Sequence, residues 1–210
     1  LDGHPRAWIF TSATLAVGPD FGHYCRELGL HWLEPPPDTA LWGSPFDYPQ
    51  QAILYAPQDM PDPNSPVYPE AVARVAYPLI RAAQGRTFVL CTALKAMRRI
   101  HEVIADKLAA EQLDLPLLLQ GEGSRSELLA RFRRLGNAIL VASQSFWEGV
   151  DVPGDALSVV VIDKLPFAPP DDPVLAARIE HLQKSGRNPF MEYQLPRAVI
   201  NVKQGAGRLI

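Results

Sequence analysis

The sequence predicts an α/β three-layer sandwich, in which a mainly parallel sheet carries helices on both of its faces. Several short runs are apolar throughout instead of alternating with polar residues, as in FVLC at residues 88–91 and AILVA at residues 138–142. Such strands are typical of parallel sheets that are buried on both faces. Segments with apolar residues at helical spacing lie between these runs, and this alternation is the pattern of repeated βα units.

The composition excludes several classes of protein. With 47% hydrophobic and 20% charged residues, the chain matches an ordinary globular protein and not a disordered tail or a disulfide scaffold. No apolar run approaches the about 20 residues that a membrane-spanning helix needs, and no secretory signal is visible. The two cysteines, Cys25 and Cys91, are too few for an iron–sulfur cluster or a cysteine zinc site, and we expect reduced thiols.

Charge is unevenly distributed along the chain. The net charge of −3 argues against a protein that binds nucleic acid through an overall basic surface. Residues 86–134 and 178–210 are nevertheless locally basic, whereas residues 1–85 and 135–177 are acidic. The basic blocks are compatible either with phosphate contacts or with ordinary solvated helix faces.

Prolines divide the first third of the chain into short elements. Of the 21 prolines, 10 lie between residues 35 and 69. Proline lacks a backbone donor and disrupts helix interiors, so we expect loops and turns in this region. The sequence predicts one strand at residues 7–10, a second at residues 51–55 and a short helix at residues 21–28.

The remainder of the chain has a regular pattern. It predicts helices at residues 70–83, 93–112, 126–135, 173–184 and 189–203, and strands at residues 86–91, 117–119, 138–142 and 157–162. In a parallel sheet, ligands bind at the carboxyl ends of the strands. The polar residues at or directly after the strand ends are Thr92, Gln120, Ser143 and Asp163.

Two segments have the residue types of a phosphate-binding turn. Thr11, Ser12 and Thr14 form a hydroxyl-rich turn after the first predicted strand, and the alternative is a simple capping turn. Residues 91–97 (CTALKAM) lead from a strand directly into a helix. With Thr92 as the N-cap, the first N–H groups of this helix would face an anion, and the alternative is an ordinary capped helix.

Two further segments combine glycine with charged and aromatic residues. Residues 143–154 (SQSFWEGVDVPG) form a loop at a strand end, and the alternative is that Phe146 and Trp147 plug the top of the sheet. Residues 204–210 (QGAGRLI) place Arg208 after glycine-rich helix turns, where its guanidinium suits bidentate contact with phosphate oxygens. The alternative there is a glycine-bearing helix terminus.

Together these four segments resemble the XPD/DinG-type superfamily 2 DNA helicases, including their YoaA-like bacterial branch. Residues 11–15 are similar to motif III, and residues 91–97 are more loosely similar to motif IV. Residues 145–154 resemble motif V almost letter for letter, and residues 204–210 resemble motif VI up to its final arginine. The resemblance implies a RecA-like helicase domain 2, the second of two motor domains, in an enzyme that usually translocates 5′ to 3′.

The resemblance also implies roles for individual residues. It places Arg208 and Gln204 against the ATP phosphates as the catalytic pair. The implied nucleotide-binding residues are Glu148, Gly149, Asp151 and Gly207. The implied contacts to the DNA backbone are Thr92, Lys95, Ser143 and Ser145. Thr11, Ser12 and Thr14 would couple hydrolysis to strand movement.

Domain limits, cofactors and partners follow from the same resemblance. Residues 1–15 would end the first motor domain, and residues 16–210 would form helicase domain 2, cut within motif VI, so we expect a fragment. The full-length protein would use ATP and Mg²⁺, and an iron–sulfur cluster of the parent protein would lie outside this chain. The implied partners are single-stranded or forked DNA and the first motor domain of the same polypeptide. The implied protein is a bacterial, cytoplasmic, nucleoid-associated monomer that does not contact a membrane.

The sequence departs from a complete motor in two ways. It contains neither a Gly-x-x-x-x-Gly-Lys-Ser/Thr loop nor an Asp-Glu-x-His segment, so we expect the isolated chain to hydrolyse no ATP. VVVID at residues 159–163 resembles a Walker B strand, but without a phosphate-binding loop we interpret it as a buried parallel strand. The alternative function is a non-catalytic RecA-like interaction module, for which Phe146 and Trp147 would be exposed together as an apolar patch. A small-molecule enzyme is disfavoured because the histidines have no catalytic spacing.

Overall fold

The structure is a computed structural model that describes residues 7–143, 146, 152, 154–169 and 171–209, without the side chain of Arg208. The chain divides into two compact units. The first unit comprises Leu1–Pro45 and Ala168–Ile200, and the second comprises Phe46–Phe167 and Asn201–Ile210.

The described helices and strands follow the predicted alternation from residue 68 onward. The helices are α1 (Gly22–Glu27), α2 (Tyr48–Gln51), α3 (Tyr68–Ala82), α4 (Leu94–Ala110), α5 (Arg125–Leu135), α6 (Pro173–Lys184) and α7 (Leu195–Ala206). The strands are β1 (Thr87–Cys91), β2 (Leu117–Leu119), β3 (Ile139–Ser143) and β4 (Val159–Ile162). Short 3₁₀ turns occupy Leu30–Trp32, Gly154–Ala156 and Gly207–Leu209, and a π-helical turn spans Phe190–Gln194.

The sheet lies in the second unit and is parallel throughout. Its strand order is β2-β3-β1-β4. The central strand β1 pairs with both neighbours, so that Val89 lies opposite Val141 on β3 and opposite Val161 on β4. The predicted parallel sheet is therefore confirmed, and all four carboxyl ends lie along one edge.

Helices cover both faces of the sheet. Buried residues of α3 and α4 pack on one face against Val89 and Val141. α5 packs on the opposite face, where the ring of Phe132 lies 4.6 Å from that of Phe88, measured between centroids. Full burial of each such side chain contributes about 1.5–3 kcal/mol to folding. The three-layer sandwich predicted from the sequence is confirmed.

Local sequence signals explain where α5 begins and ends. The Ser124 hydroxyl accepts a hydrogen bond from the backbone N–H of Glu127, and the Glu127 carboxylate accepts one from the backbone N–H of Ser124. This capping box satisfies donors that a helix leaves unpaired. Gly136 ends the helix in the left-handed conformation, with φ of 71°.

The first unit is joined by a cluster around Tyr193. Arg178 donates to the carboxylate of Glu27 at 2.6 Å, and its guanidinium lies 5.0 Å from the Tyr193 ring centroid. Arg197 donates to the Tyr193 hydroxyl at 2.7 Å. His23 is buried near the same ring, and burial lowers its pKa.

Two predicted strands near the amino terminus are wrong. Residues 7–12 and 52–57 adopt no regular structure, and Ile9 and Ile53 are 84% and 96% exposed. A strand needs a neighbour to pair its backbone N–H and C=O groups. In the part of the chain that the structure describes, neither segment has such a neighbour, and apolar composition alone does not supply one.

Two further expectations need correction. β4 is half-buried and not fully buried, because it lies at an edge of the sheet with only β1 beside it among the described strands. The single helix expected at residues 189–203 is instead a π-helical turn followed by α7.

The turn between α3 and β1 depends on Gly85. Gln84, Gly85 and Arg86 have φ values of 52°, 82° and 43°. A Cβ atom on Gly85 would lie 1.9 Å from the carbonyl oxygen of Asn137, so no side chain fits there. This close approach brings the start of β1 beside the chain that enters β3.

We expect Gly85→Ala to lower the free energy of unfolding by at least about 2 kcal/mol, because backbone strain and atomic overlap both oppose it. Gly136→Ala is the matched control. It also has positive φ, but nothing lies within 4 Å of its added Cβ, so it should cost only about 1 kcal/mol. Urea titration of the chain measures both values, and equal losses for the two variants would contradict the overlap at Gly85.

Candidate functional site

The carboxyl edge of the sheet brings together the polar residues that end the strands. Thr92 follows β1, Gln120 follows β2, Ser143 is the last residue of β3, and Asp163 follows β4. The parallel pairing places them along one edge, as the sequence predicted. This edge is therefore the candidate site in the second unit.

Asp163 ties the ends of β1 and β4 together. Its Oδ1 accepts hydrogen bonds from the backbone N–H groups of Thr92, at 3.0 Å, and Lys164, at 2.8 Å. Its Oδ2 accepts one from the Thr92 hydroxyl at 3.3 Å. The Tyr68 hydroxyl donates to the backbone carbonyl of Asp163 at 2.6 Å. Asp163 is only 5% exposed, so these donors replace the water that a buried carboxylate loses.

The expected N-cap role of Thr92 is wrong. Ala93 is the N-cap of α4, and no side chain caps that helix. The Thr92 hydroxyl donates instead to Asp163 Oδ2, at 3.3 Å. Sequence reasoning assigned no role to Asp163. The signal available was an acidic residue directly after an apolar strand, at the predicted ligand-binding edge.

Gln120 and Ser143 form a second connection, between the ends of β2 and β3. Gln120 Oε1 accepts hydrogen bonds from the backbone N–H of Ser143 at 2.6 Å and from its hydroxyl at 2.9 Å. The two connections fix the carboxyl ends of neighbouring strands relative to each other. A defined edge of this kind can present backbone N–H groups and hydroxyls to a ligand at fixed spacing.

Burial sets the electrostatics of the edge. It raises the pKa of the Asp163 carboxyl above its ordinary value of 3.8, against the opposing effect of N–H groups from Thr92 and Lys164. Burial also raises the pKa of the Cys91 thiol, so Cys91 is not an activated nucleophile. Lys95 is exposed on the first turn of α4. Over the described ranges, no group of three or more His, Cys, Asp or Glu residues is placed to hold a metal ion.

The carboxyl-terminal segment lies beside the same sheet. Gln204 belongs to α7, and its Oε1 is buried without a hydrogen-bond partner among the described residues. Gly207 begins the 3₁₀ turn Gly207–Leu209, which packs against β4. Arg208 lies within this turn, and its side chain is outside the described part of the structure.

Several predicted site residues lie outside the described residues, namely Ser145, Glu148, Gly149 and Asp151. Phe146 from the same loop is described and is only 2% exposed, in the core on the α5 side of the sheet. The Arg125 guanidinium lies 5.7 Å from its ring centroid. The burial of Phe146 fits the alternative in which it plugs the sheet. It disfavours the interaction module, which requires Phe146 and Trp147 to be exposed together.

The hydroxyl-rich turn is in the first unit. Thr11 and Ser12 are exposed, and Thr14 is half-buried. The backbone N–H of Thr14 donates to the Ser12 hydroxyl at 3.3 Å, as in a local turn. The structure thus places these three residues in a different unit from Thr92, Lys95 and Ser143.

Across the described helices, none is both long enough and apolar enough to span a membrane.

Comparison with known proteins identifies related sequences over almost the whole chain. The profile of the helicase C-terminal domain family matches residues 77–210. The chain is 49% identical to the ATP-dependent DNA helicase YoaA of Escherichia coli strain K12, over 98% of this chain and 31% of that protein. It is 36% identical to the 3'-5' exonuclease DinG of Bacillus subtilis strain 168, over 96% of this chain and 22% of that protein.

A solved structure of XPD helicase is also similar, with a TM-score of 0.49 and 18% identity over 73% of this chain and 27% of that chain. The chain thus spans less than a third of the length of YoaA, DinG and XPD helicase.

We expect stability to depend on pH through Asp163. The folded state holds the Asp163 proton more tightly than the unfolded state, so the contribution of Asp163 to the free energy of unfolding falls as pH rises from 3.8 through the raised pKa. Asp163→Asn does not titrate. Its unfolding free energy, minus that of the wild type, should rise over this interval and then become constant.

Urea titrations over a series from about pH 3 to about pH 7 measure this difference. Asp155→Asn, at an exposed carboxyl, is the matched control. A difference for Asp163→Asn that falls with rising pH would contradict the raised pKa.

Proposed function

Since this chain belongs to the helicase C-terminal domain family, as its resemblance to XPD/DinG-type DNA helicases predicted, we propose that it is the second motor domain of an ATP-dependent DNA helicase. The observation that carries the proposal is the position of β4. On one side β4 packs against the turn that contains Arg208, and at its carboxyl end Asp163 holds the Thr92 turn. One strand therefore adjoins both the nucleotide-facing and the DNA-facing segments of the proposed motor.

On the nucleotide side, we propose that Arg208 and Gln204 contact the ATP phosphates. Phosphoryl transfer needs positioning and charge stabilisation, and an arginine finger contributes about 10³–10⁵ in rate. Among the described residues no donor reaches the buried Gln204 Oε1, and a buried polar group without a partner costs about 1–3 kcal/mol. A donor from a neighbouring domain would satisfy this oxygen, and the N–H groups of the same amide could then donate to a phosphate.

Other parts of the nucleotide site complete this assignment. Gly207 and the motif V residues Glu148, Gly149 and Asp151 would line the nucleotide or hold motif VI in place. We propose that the loop that cradles the phosphates and the Mg²⁺ ligands come from the first motor domain of the full-length protein. The same domain would hold an iron–sulfur cluster if the parent protein has one.

On the DNA side, we propose that Thr92, Lys95, Ser143 and Ser145 contact the backbone of single-stranded DNA. Hydroxyls, N–H groups and scattered cations suit a groove that follows phosphates without reading bases. The hydrogen bonds of Asp163 and Gln120 support this role, because they hold Thr92 and Ser143 at fixed positions along one edge.

The finer features of the motor are part of the proposal. We propose 5′ to 3′ translocation, and coupling of hydrolysis to strand movement through Thr11, Ser12 and Thr14. Residues 1–15 would end the first motor domain, and residues 16–210 would form helicase domain 2. The full-length protein would be a bacterial, cytoplasmic, nucleoid-associated monomer acting on single-stranded or forked DNA.

We expect Arg208→Ala in the full-length protein to lower DNA-stimulated ATP hydrolysis by about 10³-fold or more and to leave affinity for single-stranded DNA within about twofold. Arg131→Ala, an exposed arginine on α5, is the matched control and should keep wild-type turnover. A phosphate-release assay and fluorescence anisotropy with a labelled oligonucleotide measure the two properties.

The 210-residue chain alone is the negative control, and we expect no ATP hydrolysis from it. Wild-type turnover by Arg208→Ala would contradict the role of this arginine, and turnover by the isolated chain would contradict its role as half of a motor.

A further inference from the structure

We propose that Asp163 is a positioning residue that fixes the Thr92 backbone and leaves the Thr92 hydroxyl able to bind a phosphate of single-stranded DNA. This inference rests on the proposed function, and it adds a residue to which the sequence assigned no role. It also predicts that the Thr92 hydroxyl changes its hydrogen-bond acceptor when DNA binds.

The two hydrogen bonds from Thr92 to Asp163 differ in length. The backbone N–H of Thr92 lies 3.0 Å from Oδ1, at the ordinary distance for an N–H donor. The Thr92 hydroxyl lies 3.3 Å from Oδ2, whereas O–H donors usually lie about 2.5–3.0 Å from their acceptors. The carboxylate thus holds the backbone firmly and the hydroxyl weakly.

Asp163 is itself well anchored. The backbone N–H of Lys164 donates to Oδ1 at 2.8 Å, and the Tyr68 hydroxyl donates to the Asp163 carbonyl at 2.6 Å. The residue is 5% exposed, and it directly follows β4. An acceptor fixed in this way can hold the Thr92 backbone in one position relative to the sheet.

The weak hydroxyl contact gives Thr92 two acceptors. Without DNA, the hydroxyl donates to Asp163 Oδ2. When a phosphate oxygen approaches, rotation about the side-chain bond turns the O–H to that oxygen, while the backbone N–H stays on Oδ1. The hydroxyl can then donate a charge-assisted hydrogen bond without any change in the backbone.

The negative charge of Asp163 does not prevent this contact. Its carboxylate is buried and already accepts three hydrogen bonds, two of them from backbone N–H groups. The positive charge of Lys164 is close enough to lower the pKa of the Asp163 carboxyl, opposing the effect of burial. Exposed Lys95 adds a second positive charge on the first turn of α4.

The test compares variants of the full-length protein. Fluorescence anisotropy with labelled oligothymidylate measures the affinity for single-stranded DNA of Thr92→Val, Asp163→Ala, Asp163→Asn and the double variant Thr92→Val/Asp163→Ala. We expect Thr92→Val and Asp163→Ala each to weaken binding by about tenfold, since each removes or misplaces one hydrogen bond to a charged group.

The conservative variant separates positioning from charge. The amide oxygen of Asp163→Asn can still accept the N–H groups of Thr92 and Lys164, so we expect binding within about twofold of the wild type. The double variant should bind no more than about twofold weaker than the weaker single variant, because both substitutions remove the same contact. Asp106→Ala, which removes an exposed carboxyl on α4, is the matched control and should bind like the wild type.

Three results would overturn the inference while leaving the proposed function standing. The first is that Asp163→Ala binds as tightly as the wild type. The second is that Asp163→Asn binds about tenfold more weakly than the wild type. The third is that the double variant binds about 100-fold more weakly, which would show that the two substitutions act additively. If Asp163→Ala fails to fold, Asp163→Asn decides the outcome. Failure of the wild-type protein to bind oligothymidylate would overturn the proposed function and this inference together.

Discussion

The polar edge of the second unit exists because four short strands pair in parallel register. Because β2, β3, β1 and β4 run in one direction, their carboxyl ends lie along one edge. Thr92, Gln120, Ser143 and Asp163 are far apart in the chain but neighbours there, and hydrogen bonds join them in two pairs. A change in strand direction or order would separate these pairs.

The hydrogen bonds at this edge connect packing with function. Apolar side chains on both faces stabilise the sheet but cannot orient the polar turns beyond it. Asp163 and Gln120 provide that orientation by accepting hydrogen bonds from the backbone N–H of Thr92, directly after β1, and of Ser143, at the end of β3. A buried acceptor such as the Asp163 carboxylate is costly when unpaired, so its satisfied state favours one arrangement of the edge.

Much of the fold was predictable because its signals are local. The apolar strands of the sheet and the capping residues of α5 indicate their structures without knowledge of the rest of the chain. Residues 51–55 show where this fails: their composition suits a strand, but a strand forms only beside a partner. Thr92 shows a second limit of prediction from local sequence. Its hydroxyl donates to a carboxylate 71 residues away in the chain and does not cap the helix that follows it. Motif resemblance assigned roles to Thr92 and Ser143 but none to Asp163, whose hydrogen-bond partner Thr92 comes near only in the folded sheet.

We propose that this chain contributes a guanidinium to a triphosphate that another domain binds. A crystal or cryo-electron microscopy structure of the full-length protein with a non-hydrolysable ATP analogue would show this contact. We expect Arg208 guanidinium nitrogens within about 3 Å of phosphate oxygens. A structure in which Arg208 points away from the bound nucleotide would contradict it.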